Sequence, residues 1–305
     1  MSSADAVRAE SLTKCYGPVV ALEALDLTVA RGEVYGFLGP NGAGKTTTIR
    51  ILLDLVRATS GRAFVDGLDC RAASVQVRGR IGYLPADMPL YREMTGGAYL
   101  DFLAALQLKR VDTVFLRRLL SKFDISDVDL RRRLDHLSHG MKRKFGIVQA
   151  LMGRPPLLIL DEPTSGLDPL MIEAFAETVH ELKTEGATTI FLSSHVLSEV
   201  ERLCDRVGIV RRGRLVRQTS IADLRRDTPR RVRVFFDGPA PAPPERLAGA
   251  VRRQHARRWD LEWQGPLGAA LDAMQGLPIA DVEIEPFKLE DYVLQVYSGA
   301  PEARE

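Results

Sequence analysis

Asparagine is almost missing from this chain of 305 residues; Asn41 is the only one. The Asn-Lys-x-Asp motif with which GTPases read guanine is therefore excluded, because Asn41 is followed by Gly42. A bound purine nucleotide is expected to carry adenine. Cysteine is scarce too. Cys15, Cys70 and Cys204 lie too far apart for a C-x-x-C pair or a metal-ligand spacing, so three reduced thiols in a cytosolic protein are expected. No apolar run approaches the roughly 18 residues a membrane helix requires. The opening Met1-Ser2-Ser3-Ala4-Asp5 lacks the apolar centre of a signal peptide. Any membrane role is expected to work by docking onto another protein. Neither charge is in excess: 42 Lys and Arg face 40 Asp and Glu, a net of +2, which argues neither for nor against nucleic acid. A hydrophobic content of 45% suffices for a sizeable core, and the length suits one large domain or two smaller ones.

What is present is organised around Gly39-Pro40-Asn41-Gly42-Ala43-Gly44-Lys45-Thr46-Thr47, which fits the phosphate-binding pattern G-x-x-x-x-G-K-[ST]. Before it, Val34-Tyr35-Gly36-Phe37-Leu38 reads as a buried strand. After it, residues 49–56 are dense in Ile, Leu and Val and read as a buried helix. The chemistry needs this order. Glycines let backbone N–H groups turn inward around phosphate oxygens, and the helix start adds partial positive charge. Lys45 would bridge the β- and γ-phosphates, and Thr46 would offer its hydroxyl to Mg²⁺.

A second landmark is Leu157-Leu158-Ile159-Leu160-Asp161-Glu162-Pro163: an apolar run ending in two acids, as in a buried parallel strand whose C-terminal end meets a site. Asp161 would hold Mg²⁺. Glu162 leaves the strand on the other side, where it could act as general base or orient an attacking water. Helix capping is the weaker account of the pair, because Pro163 follows and a phosphate loop precedes. Thr188-Thr189-Ile190-Phe191-Leu192-Ser193-Ser194-His195 repeats the strand-then-polar-tip pattern. On geometry His195 reads equally as catalytic or structural. Residues 7–29 alternate loosely around Gly17-Pro18 and read as antiparallel strands. Tyr16, ahead of that turn, reads equally as an adenine-stacking ring or as a turn tyrosine packed on its own sheet. A further strand with turns at both ends is expected over 61–67, another at 80–85, a mostly helical insertion at 99–124, helices at 140–152 and 198–204, and a hairpin of 207–210 with 213–216.

Together these residues resemble the ATP-binding subunits of ABC transporters, over residues 7 to about 216. Leu137-Ser138-His139-Gly140-Met141 stands where that family has its Leu-Ser-Gly-Gly-Gln signature. Ser165-Gly166-Leu167-Asp168 looks like its D-loop, His195 like its switch histidine and Tyr16 like its adenine-stacking aromatic. The resemblance implies a head-to-tail homodimer around two ATP. Each nucleotide would lie between the phosphate loop of one chain (Gly39, Pro40, Asn41, Gly42, Ala43, Gly44, Lys45, Thr46, Thr47) and Ser138 and Gly140 of the other, with Asp168 also at the nucleotide. Lys45, Glu162 and His195 carry catalysis in this reading, and Thr46 and Asp161 hold the metal. Two departures stand out. Where the family has a metal-binding glutamine, this chain has Ala86, with Asp87 as a possible substitute; slower or less tightly coupled hydrolysis is expected. His139 adds a side chain inside the signature, either facing solvent or adding pH sensitivity.

From about residue 217 the character changes. Pro239-Ala240-Pro241-Ala242-Pro243-Pro244 reads as a proline-rich loop or linker. Residues 232–236, 259–263 and 282–285 alternate as strands. Leu289, Val293, Val296 and Tyr297 share one face of a final helix ending at Gly299. Strand-helix-strand order hints at a ferredoxin-like unit. The stretch Glu285-Pro286-Phe287-Lys288-Leu289-Glu290-Asp291-Tyr292 resembles the tail of drug-resistance exporters of the ABC-2 class, such as daunorubicin-resistance ATPases. Arg225-Arg226, Arg230-Arg231, Arg252-Arg253 and Arg257-Arg258 form a basic patch in sequence, read as a solvated face or a contact for anionic lipid, with nucleic acid the less favoured alternative.

The expectation is an α/β P-loop NTPase of the ABC ATPase kind. An ABC ATP-binding domain would span 1–216, with an N-terminal antiparallel β-sheet and an inserted helical subdomain at about 90–152, and a small C-terminal α+β domain would span 217–305. It would hydrolyse ATP with Mg²⁺ as a homodimer on the cytoplasmic face of the cell membrane and drive a separate ABC-2-type transmembrane permease, for export of a drug, antibiotic, lipid or other small molecule. No nucleic acid is expected as partner. The alternatives are a soluble ABC ATPase acting on nucleic acid or ribosomes, and a phosphate-binding regulator with little turnover.

Overall fold

This computed structural model describes residues 5–88, 91, 93–107, 111–285 and 288–298. They form two compact units, Met1–Gln218 and Thr219–Glu305.

In the first unit, β1 (Asp5–Tyr16) and β2 (Val19–Ala30) pair antiparallel across a turn whose Gly17 has φ 57. Glycine adopts this left-handed conformation without a Cβ penalty. β1 pairs on its other side with β4 (Ser60–Val65), which turns through Asp66 and Gly67 into the short β5 (Leu68–Asp69), so the sheet runs β2-β1-β4-β5.

The second sheet runs β10-β9-β3-β8-β7-β6. Its central strands β3 (Val34–Leu38), β7 (Leu157–Asp161) and β8 (Thr189–Ser194) are buried at every residue, as expected of parallel strands covered on both faces. β6 (Ile81–Leu84) lies parallel to β7, and β9 (Arg206–Arg211) parallel to β3. β10 (Arg214–Ser220) follows a turn whose Arg212 and Gly213 both have positive φ, the conformation two-residue hairpins favour. The register aligns the strand ends: Leu38 faces Ser194, Asp161 faces Ser193, and Leu84 faces Leu160. The C-terminal ends of β3, β6, β7 and β8 therefore open on one edge, where open α/β sheets hold their ligands.

α1 (Lys45–Leu52) starts and ends four residues earlier than the apolar density at 49–56 indicates. Its polar first turn is already helical, and Asp54, with φ 52, marks the departure from helix. α2 (Ser74–Arg78) is short. Among the described residues, four α-helices and a short 3-10 turn (Leu134–His136) separate β6 from β7: α3 (Gly96–Ala105), α4 (Thr113–Lys122), α5 (Asp127–Arg131) and α6 (His139–Leu151). Each α-helix is N-capped by a side chain, from Thr95, Asp112, Ser126 and Ser138 in turn. α6 packs against α3, α4 and β6, so it ties the helical insertion to the parallel sheet. α7 (Pro169–Glu185) is capped by Asp168 and stopped by Gly186 at φ 68, and α8 (Leu197–Leu203) follows β8. An apolar core containing Leu12, Leu27, Phe37, Ile49, Val65, Ile159 and Phe191 joins both sheets to α1.

The second unit begins with α9 (Ile221–Asp227). Then come β11 (Arg230–Phe236), α10 (Glu245–Ala248), β12 (Val251–His255), β13 (Arg258–Trp263), α11 (Leu267–Met274), β14 (Ile279–Ile284) and α12 (Leu289–Ser298). The strands form an antiparallel sheet, β12-β13-β11-β14. This βαββαβ order is the ferredoxin-like arrangement. The proline-rich stretch is no linker between units. Its Pro241 carbonyl accepts from the indole N–H of the fully buried Trp259 at 3.2 Å and from Gln254 at 3.1 Å, so it is fastened to this unit's own sheet. Arginines of β11–β13 meet acids: Arg233 with Glu283 on β14 and Glu285 just after it, Arg252 with Glu262 on β13, and Arg258 with Asp260 of its own strand. Within the apparent basic patch, Arg252 and Arg258 are in these pairs, and Arg226 and Arg231 meet Asp223 and Glu285. Pro286, Phe287 and Gly299 of the tail lie outside the described residues.

Candidate functional site

The loop after β3 is shaped by two left-handed glycines, Gly42 at φ 78 and Gly44 at φ 108. Gly39 has no room for a side chain, because a Cβ there would sit 2.5 Å from the Val210 carbonyl. Pro40, Asn41 and Gly42 form an exposed tip, while Gly39, Ala43, Gly44 and Lys45 are buried beneath it. The Ala43 N–H closes the turn on the Pro40 carbonyl at 3.1 Å, and Gly213 anchors the loop by donating to the Ala43 carbonyl at 3.0 Å. No side chain caps the start of α1. The helix thus presents its N-terminal N–H groups and their partial positive charge to the loop, the setting that suits phosphate.

Lys45 is a buried cation of the site. Its Nζ donates to the carbonyls of Gly39 at 2.6 Å and Pro40 at 3.3 Å and stands 3.8 Å from Glu162 Oε1. Burial holds its pKa below the usual lysine value, and the negative charges of Glu162 and Asp161 oppose that effect. Thr46 Oγ1 donates to Asp161 Oδ2 at 3.0 Å. Asp161 is 1% exposed and its other oxygen, Oδ1, is buried without a hydrogen-bond partner.

The two acids diverge at the end of β7, as their alternation indicates. Asp161 turns to Thr46. Glu162 turns to His195, whose Nδ1 lies 2.6 Å from Glu162 Oε2. Glu162 has φ 52, an unusual value for a side chain without glycine's freedom. Its N–H still continues the ladder to the Ser193 carbonyl at 2.9 Å. A second carboxylate stands behind it. Glu199 on α8 accepts from Thr164 Oγ1 at 2.7 Å, and burial raises its pKa.

The structure brings together Lys45, Thr46, Asp161, Glu162 and His195. Residues 39–44 join them through Lys45, which donates to the carbonyls of Gly39 and Pro40, while Ser138 and Asp168 serve as helix caps. Ser138 accepts from the Met141 N–H as cap of α6, and Asp168 accepts from the Met171 N–H as cap of α7. Among the described residues no hydrogen bond joins Ser138, Gly140 or Asp168 to residues 39–47. Gly140 and Gly166 pack closely; a Cβ on Gly140 would meet the Gly166 carbonyl at 2.8 Å. His139 lies against Gly166, where an added Cβ would be 2.5 Å from its ring. Tyr16 is 44% exposed at the end of β1, with Lys14 Nζ 4.7 Å from its ring centre.

Sequence reasoning missed Arg143. It sits in α6 five residues after Ser138 and is 2% exposed. Its guanidinium donates to the carbonyls of Pro85, Ala86, Asp161, Glu162 and Pro163. Burial pushes its pKa down to about 10, against the attraction of Asp161, Glu162 and Asp87. The run Lys142-Arg143-Lys144 gives no sign of this in sequence, where consecutive cations read as a solvated helix face.

The family described as "ABC transporter" matches residues 22–165. An uncharacterized ABC transporter ATP-binding protein of Synechocystis is 34% identical over 284 residues, covering 91% of this chain and 78% of the relative. The bacitracin transport ATP-binding protein BcrA of Bacillus licheniformis is 36% identical over 232 residues, 72% of this chain and 71% of that one. A solved structure of an ATP-binding subunit of an ABC transporter superposes with a TM-score of 0.66 at 33% identity, over 72% of this chain and 92% of that one.

Proposed function

The chain belongs to the ATP-binding proteins of ABC transporters, which bind and hydrolyse ATP, and on that premise we propose how its residues divide the work. The observation that carries the proposal is the setting of Glu162, with Lys45 on one side, His195 on the other, and Asp161 turned away to Thr46.

In this reading residues 39–47 wrap the phosphates, and Lys45 exchanges its loop carbonyls for β- and γ-phosphate oxygens. Glu162 accepts the proton of the attacking water or orients it. His195, hydrogen-bonded to Glu162, fixes that carboxylate and faces the γ-phosphate. Tyr16 stacks on adenine. Thr46 and Asp161 fit Mg²⁺: a hydroxyl and a carboxylate with an unpartnered buried oxygen are hard oxygen donors. No group of three His, Cys, Asp or Glu side chains that could hold a metal occurs among the described residues, which suits a metal held largely by phosphate and water. Mg²⁺, when bound, neutralises charge on the β- and γ-phosphates.

Subunits of this family dimerise and work with a membrane permease. Here we assign the trans half of each site to Ser138 and Gly140, at the start of α6, with Asp168, the cap of α7, also at the nucleotide. The permease is taken to be of the ABC-2 class and the direction export, supported by the tail resemblance and by the bacitracin transport relative. No helix among the described residues is long and apolar enough to cross a membrane, so attachment to the cytoplasmic face is assigned to the permease.

The test uses two variants. Glu162→Gln should abolish turnover and accumulate an ATP-bound dimer on size exclusion. Lys45→Ala should lose nucleotide binding. Wild-type turnover in either variant overturns the assignment. Purification of the tagged chain from detergent-solubilised membranes should recover a multi-span protein at equal stoichiometry. Recovery only with nucleic acid or ribosomes would replace the transport reading.

A further inference from the structure

Arg143 is an unusual buried cation. Its side chain makes no ion pair among the described residues; all its described hydrogen-bond acceptors are main-chain carbonyls. Nη1 reaches Pro85 at 2.6 Å and Ala86 at 3.1 Å, just beyond β6. Nη2 reaches Asp161 at 2.6 Å and also Glu162, and Nε reaches Pro163 at 3.1 Å, at the end of β7. Burying an arginine is costly unless its donors are used, and here the planar fork divides them between residues 85–86 and the turn after β7.

That turn holds Glu162 at φ 52. A non-glycine residue in this region keeps its conformation only where the surroundings over-determine it. On its N-terminal side Glu162 is held by the ladder bond to Ser193. On its C-terminal side the Ser165 N–H closes the turn on the Glu162 carbonyl at 3.2 Å, and Arg143 adds bonds to the carbonyls of Asp161, Glu162 and Pro163. We propose that Arg143 is the positioning residue of the hydrolytic centre: it fixes the left-handed turn that aims the Glu162 carboxylate, and it ties that turn to residues 85–86 and to the signature helix α6. This rests on the reading of Glu162 as the group that handles the attacking water. It adds that movement of α6 or of residues 85–86 reaches Glu162 through one guanidinium.

The experiment measures kcat, KM and nucleotide affinity of Arg143→Lys and Arg143→Gln in the full chain, and repeats Arg143→Lys in the Glu162→Gln background. A shift of about 1 Å in a reacting group costs about 100-fold in rate. Lysine cannot reach all five carbonyls with three donors, so kcat should fall at least about tenfold while affinity for a fluorescent ATP analogue, set by residues 39–47, stays within about twofold. With glutamine already at position 162, Arg143→Lys should leave the ATP-bound dimer intact, because the group it positions is gone. A kcat equal to wild type in both variants overturns the inference. So does loss of that dimer, which would make Arg143 a shaper of the signature instead. If the lysine variant loses its circular dichroism signature, the glutamine variant decides by the same measurements. Failure of the underlying reading is visible separately, as turnover in Glu162→Gln alone.

Discussion

Gly42 and Gly44 stand two residues apart in the same loop, and the structure predicts different costs for the same substitution. At Gly42 an alanine would sit at φ 78 with nothing within 4 Å of its Cβ. Only the backbone penalty applies, about 1–2 kcal/mol. At Gly44 φ is 108, and the Cβ would be 2.8 Å from the Ala21 carbonyl and 2.6 Å from Leu22 Cδ2. The strained backbone costs about 1–3 kcal/mol, and forcing a methyl into a packed site adds about 1–3 kcal/mol. Relief by movement is limited, because the Gly213 N–H holds the Ala43 carbonyl at 3.0 Å and the Glu23 N–H holds the Gly213 carbonyl at 2.9 Å. Gly44→Ala should therefore cost about 4 kcal/mol and Gly42→Ala about 1.5 kcal/mol. In a unit of this size 1 kcal/mol moves Tm by about 2–4 °C, so thermal unfolding should drop by about 8–16 °C against about 3–6 °C. Gly44→Ala should also weaken binding of a fluorescent ATP analogue, because Gly44 caps α1 and sets the direction of its first N–H groups. Equal losses in the two variants, or a larger loss in Gly42→Ala, would refute this account of the loop.

Two further outcomes follow from burial and exposure. Burial pushes the Cys70 thiol up to about 12 and raises Cys204 as well, while Cys15 is half-buried near the surface. A thiol-reactive chromophore at pH 8 should titrate Cys15 in the native chain and all three thiols once it is unfolded; rapid native labelling of Cys70 would contradict the packing. The sign for stability is fixed by the same shift: a thiol raised in the folded state costs nothing below the unfolded value of about 9, and stability falls as pH rises from there toward 12. Tyr16→Ala should raise the KM for ATP about tenfold with kcat retained, since stacking an aromatic on a base is worth about 1–3 kcal/mol. Tyr16→Phe should restore it, and an unchanged KM in the alanine variant would return Tyr16 to the role of a turn residue under Lys14.

The parts of the site that were legible in the sequence are those whose chemistry is local. Residues 39–47 carry their glycines, lysine and threonine in one stretch, and the apolar runs ending at Asp161 and Ser194 declare buried strands whose tips meet a ligand. The alternation of Val232, Val234 and Phe236 marked β11 in the same way. Features set by tertiary contact were not legible. The first turn of α1 is polar, so apolar density placed the helix late. β12 reads Val-Arg-Arg-Gln-His and has no period of two; it is a strand because β13 offers an edge to pair with. The proline-rich stretch reads as a spacer until Trp259 is seen donating to Pro241. The doubled arginines at 230–231 and 252–253 read as basic because the acids that Arg231 and Arg252 meet, Glu285 and Glu262, lie far along the chain.

Arg143 is the sharpest instance, and it changes the meaning of Ala86. By side chain, alanine cannot do what the family's glutamine does. Yet the connection between the end of β6 and the end of β7 runs here through the carbonyls of Pro85 and Ala86 to one guanidinium. A main-chain acceptor is the same whatever residue supplies it. The chain can therefore keep residues 85–86 mechanically coupled to Glu162 while leaving position 86 without a functional group, provided an arginine long enough to reach both strand ends occupies position 143.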